Sequence, residues 1–131
     1  LVNNAYWPAS TAFIDAGRFY HIVLKVKCAT LADSVVFSVF QDTSATVTGS
    51  VKALTSAAVT TVATTDNGKS FMIEFNCSKL DSANGFRYVT CKVTGVSGNN
   101  YAHIEWFGTH TRGEPVTQTS LDATYSTVLG G

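Results

Sequence analysis

The sequence predicts an all-β fold: a jelly-roll-like antiparallel β-sandwich with about eight strands and extended terminal arms. Two observations lead to this prediction. Segments with the two-residue alternation of half-buried strands recur along the chain, and turn signals separate them at intervals of roughly 8 to 12 residues. The chain contains no long helical pattern and no internal repeat. A jelly roll of two four-stranded sheets fits the strand count; an immunoglobulin-like sandwich fits it too, although its Cys-Trp-Cys pattern is missing.

Residues 84–94, NGFRYVTCKVT, are predicted to begin with an Asn84-Gly85 turn and to continue as the central strand. Val89, Cys91 and Val93 form one apolar face, while Phe86 and Tyr88 place rings on the other. A strand with apolar side chains on both faces is typical of a position between two neighbours.

The remaining strands follow the same alternation. In residues 19–28 the even-numbered side chains are expected to face the core, and in residues 70–76 the odd-numbered ones. Residues 57–63 fit either a strand or an extended loop. The other predicted strands are 13–15, 35–41, 50–54 and 101–109. This gives an N-terminal arm (1–12), a sandwich domain (13–113) and a C-terminal arm (114–131).

Two connections carry recognisable turn signals. Asn67-Gly68, between two strand candidates, predicts a hairpin. Residues 78–84 are expected to form one helical turn, with Ser78 as its cap and Gly85 as its left-handed stop.

Charge and composition exclude some partners. Nine basic residues balance nine acidic ones, so neither a basic footprint for nucleic acid nor a polybasic membrane patch is present. Charged residues make up 14% of the chain, against roughly 25% in an average soluble domain. This indicates a surface that meets protein partners or, equally well, a polar surface rich in Ser and Thr.

The three cysteines, Cys28, Cys77 and Cys91, cannot all pair within one chain, and no CxxC spacing predicts a zinc site. Free thiols favour folding in a reducing cytosol. No apolar run is long enough to span a bilayer, and residues 1–10 lack the pattern of a signal peptide.

Catalytic candidates are few. His103 and Glu105 share a strand face and, with His110, form the nearest approach to a metal cluster; a surface polar patch explains them more simply. No Gly-x-Ser-x-Gly elbow or phosphate loop is present, and Glu74 and Glu105 are the only glutamates on predicted strands. We therefore expect no enzyme activity and no cofactor.

Aromatic residues are the remaining signal. Trp106 is expected in the core, beside Ile104, whereas Trp7 in the N-terminal arm is expected to dock on a partner or on the edge of the domain. The aromatic set fits either a sugar-stacking platform or a protein interface; it comprises Tyr6, Trp7, Phe19, Tyr20, Tyr101 and Trp106.

Three stretches of the chain resemble one family. They are NNAYWPASTAFIDAGRFYHI, FSVFQDTSATVTGSVKALT, and SANGFRYVTCKVTG followed by NNYAHIEWFG, and QDTSAT and NGFRYVT are the most specific motifs in them. Together, over residues 3–118, they resemble the capsid cement (head decoration) proteins of tailed phages of the Bordetella type.

The resemblance implies a jelly-roll protein on the outer surface of the virion, made in the bacterial cytoplasm, that binds the major capsid protein and stabilises the shell. It also implies a homo-oligomer, with a dimer favoured. The expected interface residues lie in the two arms: Tyr6, Trp7, Leu121, Tyr125, Val128 and Leu129. The arms could instead pack on their own protomer or be exchanged between protomers. The alternative function is a carbohydrate-binding β-sandwich module on the virion surface, used in host attachment.

Overall fold

The structure is a computed structural model that describes residues 1–111, the last two by their backbone alone. Eight strands lie in this part of the chain: β1 (Tyr6–Trp7), β2 (Ile14–Asp15), β3 (Phe19–Leu31), β4 (Val36–Asp42), β5 (Lys52–Thr60), β6 (Ser70–Asn76), β7 (Tyr88–Thr94) and β8 (Asn100–Thr111). Three short 3₁₀ turns accompany them, at Ala16–Arg18, Cys77–Lys79 and Ser82–Asn84.

The strands form two antiparallel sheets, which confirms the predicted all-β sandwich. The first sheet has the order β1-β7-β4-β5, with β2 also paired to β7, and the second has the order β6-β3-β8. The eight strands are therefore divided five and three, not four and four. Both β5 and β6 lie at the ends of their strand orders.

The central position of β7 is confirmed. It pairs with β4 on one side and with the short strands β1 and β2 on the other. Val89, Cys91 and Val93 have no exposed surface. The strand begins at Tyr88, later than predicted, because Ser82–Asn84 forms a 3₁₀ turn that ends at Gly85 with φ of +82°, where glycine is favoured.

Strand alternation also identified the core of the second sheet. The even-numbered side chains of β3, from Ile22 to Cys28, are at most 1% exposed. On β6, Ile73 and Phe75 are buried, whereas Met72 is exposed. These faces pack against the buried residues of β4 and β7 to form one continuous core.

The predicted hairpin at Asn67-Gly68 is wrong, although the turn exists. The strands before and after it, β5 and β6, belong to different sheets. The turn is attached to β3 instead: the Asn67 side-chain oxygen accepts from the Leu31 N–H (2.8 Å), and the Gly68 N–H donates to the Ala29 carbonyl (3.2 Å). Each flanking strand thus finds its pairing partner elsewhere, so the connection crosses between the sheets.

Two other local predictions change. Residues 50–54 and 57–63 do not form separate elements: one strand, β5, covers most of both, and its register with β4 shifts between Ser38 and Phe40. Residues 78–84 form two short 3₁₀ turns, and Ser78 lies inside the first of them, not at its cap.

Residues 1–12, predicted as an arm, lie along the domain. Tyr6 and Trp7 pair with Lys92 and Cys91 of β7, and the Asn4 N–H donates to the Val93 carbonyl (2.8 Å). The predicted C-terminal arm, 114–131, lies outside the described residues.

Candidate binding surfaces

The two predicted N-terminal interface residues have different surroundings. The Tyr6 ring is half-buried and packs against the rings of Phe13 (5.5 Å between centroids) and Phe40 (6.4 Å). Trp7 is 40% exposed. Tyr6 thus holds the segment to the domain, while the Trp7 ring has free surface for a partner. Leu121, Tyr125, Val128 and Leu129 lie outside the described residues.

The backbone around Trp7 is fixed on both sides. The Trp106 indole Nε1–H donates to the Trp7 carbonyl (2.9 Å), and the Thr90 hydroxyl donates to the Pro8 carbonyl (2.8 Å). Trp106 is half-buried and packs against the core, near the position predicted for it. An exposed ring on a fixed backbone loses little conformational entropy on binding, which favours Trp7 as an anchor.

Further contacts fasten the N-terminal segment along the same side of the sandwich. The Leu1 amino nitrogen donates to the Asn100 carbonyl (2.7 Å), and the Asn3 side-chain oxygen accepts from the N–H groups of Gly95 (2.9 Å) and Val96 (3.2 Å). The segment therefore closes the side where β7 faces β8.

The exposed aromatic rings do not form one row. Tyr101 is 58% exposed, but it is an odd-numbered residue of β8, whose even-numbered residues, among them Trp106, face the core. Successive strand side chains point to opposite faces, so Tyr101 and Trp106 lie on different faces of the sheet. Trp7 and Trp106 are neighbours, and Tyr101 is separate from them.

The predicted polar cluster on β8 is present in part. The His103 Nε2 and Glu105 Oε1 atoms are 2.7 Å apart on the outer face. The His110 side chain is not among those described. Across the described side chains, no three His, Cys, Asp or Glu residues are grouped as metal ligands.

A groove between β5 and β6 is the feature that sequence reasoning missed. It encloses about 880 Å³ at the side of the sandwich opposite the N-terminal segment. Its buried lining is apolar except for Gln41, and its rim carries charged and polar side chains. The buried part comprises Gln41, Leu54, Ala57, Ile73 and Phe75, and the rim includes His21, Lys52, Glu74, Lys79 and Asp81. The groove depends on the irregular pairing of β5, which no local pattern reveals.

The QDTSAT motif closes a loop around a buried carboxylate. Asp42 accepts from the N–H (2.7 Å) and hydroxyl (2.6 Å) of Thr48 and from the N–H of Thr43 (2.6 Å). Burial alone would raise the pKa of Asp42, but the hydrogen bonds from Thr48 and Thr43 outweigh it and lower that pKa. Asp42 and Thr43 of this motif, together with Thr48 beyond it, therefore have a structural role.

The NGFRYVT motif also has a structural role. The Arg87 guanidinium forms a two-point contact with the Asp15 carboxylate (2.9 and 2.7 Å), and this contact raises the pKa of Arg87. The Arg87 N–H donates to the Asp42 carbonyl (3.1 Å). Arg87 therefore joins β2 to the end of β4.

No disulfide joins the three cysteines, and all three are buried. Burial raises the pKa of the Cys91 thiol to about 12 and also raises that of Cys28. These two thiols are core residues without nucleophilic character at neutral pH.

Comparison with models of protein families, with curated proteins and with solved structures found no match for this chain. In the part of the chain that the structure describes, no helix is long and apolar enough to cross a membrane.

Proposed function

We propose that this protein is a structural component of a phage virion, which binds the outer surface of the assembled capsid and cements neighbouring capsid subunits. The observation that carries the proposal is Trp7, a large exposed ring on a backbone fixed by Trp106 and Thr90. The resemblance of the sequence motifs to capsid cement proteins supplies the partner, the major capsid protein. A second copy of the chain is the other proposed partner.

The physical basis is differential binding. A protein that binds the assembled shell more tightly than the dissociated subunits stabilises the shell by mass action, in proportion to its occupancy. A buried Trp commonly dominates the energy of such an interface. The low proportion of charged residues, 14%, limits the desolvation cost of covering the surface.

The test is co-sedimentation of the purified protein with assembled capsids and with unassembled capsid protein. We expect binding to the assembled shell, and Trp7→Ala should weaken it by about 2 kcal/mol, or about 30-fold in affinity. Tyr101→Ala is the matched control, because it removes an exposed ring from a different face of β8 and should leave binding unchanged.

Two outcomes would contradict the proposal in different ways. If Trp7→Ala binds like the unmodified chain while both remain folded, the anchor is wrong but the function stands. If neither form binds capsids, and purified virions contain no 14.0 kDa band, the function itself is wrong.

A second candidate function is a carbohydrate-binding module on the virion surface. The exposed Trp7 ring favours it, because an exposed indole can stack on a sugar ring, and Trp106 contacts its backbone from β8. The position of Tyr101 on the other face leaves this platform smaller than a three-ring row. Saturable binding of host polysaccharide that Trp7→Ala abolishes, with no affinity for capsids, would favour this function over cementing.

A further inference from the structure

The open edge of β6 is the least protected part of the described sandwich. Among the described strands, β6 pairs only with β3, so its other edge has no strand beside it. The Cys28 N–H donates to the Lys69 carbonyl (2.8 Å), so these two residues form a hydrogen-bonded pair between β3 and the start of β6. Bonded pairs alternate in an antiparallel ladder, so the N–H and C=O groups of every second residue point to the open edge. These residues are Ser70, Met72, Glu74 and Asn76.

The other edges are protected by known devices, whereas β6 has almost none. The register of β5 shifts along β4, and Ser56 has a φ of +62°, so that edge is irregular. The β8 side is closed by the N-terminal segment at Asn100 and Trp106. In contrast, β6 pairs with β3 without a register shift, carries one charged residue and exposes 58% of Met72. A regular edge with one charged residue and an exposed Met is normally covered.

The groove beside this edge has the shape for an added strand. An extended segment paired with β6 would alternate its side chains between the solvent and the space between the sheets. On the inner side it would meet the apolar lining of the groove, from Leu54 and Ala57 on one sheet to Ile73 and Phe75 on the other. The occupant therefore needs apolar residues at every second position.

The chain itself contains such a segment. In residues 121–129, LDATYSTVL, the odd positions include Leu121, Ala123, Tyr125 and Leu129. The intervening positions 122, 124 and 126 are polar, and the alternation is broken only by Thr127 and Val128. This two-residue period predicts a strand with one apolar face.

The described part of the chain ends where this segment can reach the groove. Thr111 pairs with Phe19 at the same end of the sheet where Asn76 pairs with His21. The path from β8 to the far side of β6 crosses three strand spacings, about 14 Å. Residues 112–120 can span up to about 30 Å when extended, which is more than this path requires. The following residues would then run antiparallel to β6, from Asn76 towards Ser70.

We propose that residues 121–129 of the same protomer add to the open edge of β6 as a further strand and place their apolar face in the groove. Leu121, Tyr125 and Leu129, predicted as interface residues, would then pack on their own domain. The inference does not depend on the proposed capsid function.

Residue-resolved amide hydrogen exchange on the full chain tests this pairing. We expect the outward amides of Met72 and Glu74 to exchange about as slowly as the inward amide of Ile73. In a chain ended after Pro115, the exchange of Met72 and Glu74 should become about 100-fold faster, while Ile73 stays protected.

Point variants keep the test decisive if the shortened chain does not fold. Leu121→Asp combined with Tyr125→Asp should remove the protection of Met72 and Glu74. Thr124→Asp, on the polar face of the segment, should retain it.

Four results would overturn the proposal. The first is rapid exchange of Met72 and Glu74 in the full chain, and the second is an equal effect of the apolar-face and polar-face variants. The third is protection of the outward amides of Ala102 and Ile104 instead, which would place the segment on β8. The fourth is protection that requires high protein concentration and a dimeric mass, which would assign the strand to a second copy.

Discussion

Asp42 is the residue on which the loop after β4 depends. Its carboxylate has no exposed surface and accepts from the N–H and hydroxyl of Thr48 and the N–H of Thr43. In Asp42→Asn, an NH₂ group replaces one acceptor oxygen and faces an N–H donor, which leaves a buried donor without a partner. We expect the free energy of unfolding to fall by about 2 kcal/mol, measured by urea denaturation.

Thr43→Val is the matched control for this residue. Thr43 is exposed, and the substitution removes only the long hydroxyl contact to Asp42 (3.4 Å) while it keeps the backbone N–H. Its cost should stay below about 0.5 kcal/mol. Equal stability of Asp42→Asn and the unmodified chain would show that the buried network contributes little.

Single residues were predicted well where the signal is local. The inward residues Ile22 and Leu24 follow from alternation alone, which is a property of the extended backbone. The burial of Asp42 does not follow from its surroundings in the sequence, because polar residues in a Thr-rich loop usually face solvent. The loop places the N–H and hydroxyl of Thr48 beside Asp42, and these two donors, together with the Thr43 N–H, make that burial possible.

At the scale of the element, the connection between β7 and β8 depends on Gly95. Its φ is +84°, and an added Cβ would lie 2.8 Å from the Ser34 carbonyl oxygen. Gly95→Ala therefore introduces backbone strain at position 95 and a clash with the Ser34 carbonyl oxygen. We expect it to lower the free energy of unfolding by at least about 2 kcal/mol.

Gly49→Ala is the control for the connection, because a Cβ there has no heavy atom within 4 Å and the backbone is not left-handed. Its effect should remain within about 0.5 kcal/mol in the same thermal or urea titration. If both variants are equally stable, the close approach of Ser34 to Gly95 does not constrain the loop.

Elements were predicted more securely than their pairing. The limits of β6, 70–76, were predicted correctly, because its alternation is regular. The hairpin at Asn67-Gly68 was wrong, because a turn signal fixes the local backbone and not the sheet that the next strand joins. The groove was missed for the same reason. It forms where the register between β5 and β4 shifts, and this shift depends on tertiary pairing. Trp7 itself lies in β1, a two-residue strand within the segment that the sequence predicts as an arm.

At the scale of the whole molecule, several carboxylates with lowered pKa values link stability to pH. Asp33 accepts from the N–H groups of Gly98 and Ser97 and from the Asn100 side chain, which holds its pKa well below its usual range. The N–H of Val62 lowers the pKa of Asp66, and the side chain of Lys52 lowers that of Asp81. With Asp42, these groups fasten four separate loops.

The sign of the pH effect follows from the direction of these shifts. A carboxyl whose pKa is lower in the folded state binds fewer protons there than in the unfolded state, where its pKa is about 3.9. The stability it contributes is fully present above about pH 5 and is lost as the pH falls through the folded-state value. We therefore expect the urea midpoint to be nearly constant between pH 7 and 5 and to fall steeply below pH 4. Asp33→Asn should flatten this fall, because the variant has one titrating group fewer. A midpoint that stays constant down to pH 2.5 would show that the loop carboxylates do not govern the stability of the sandwich.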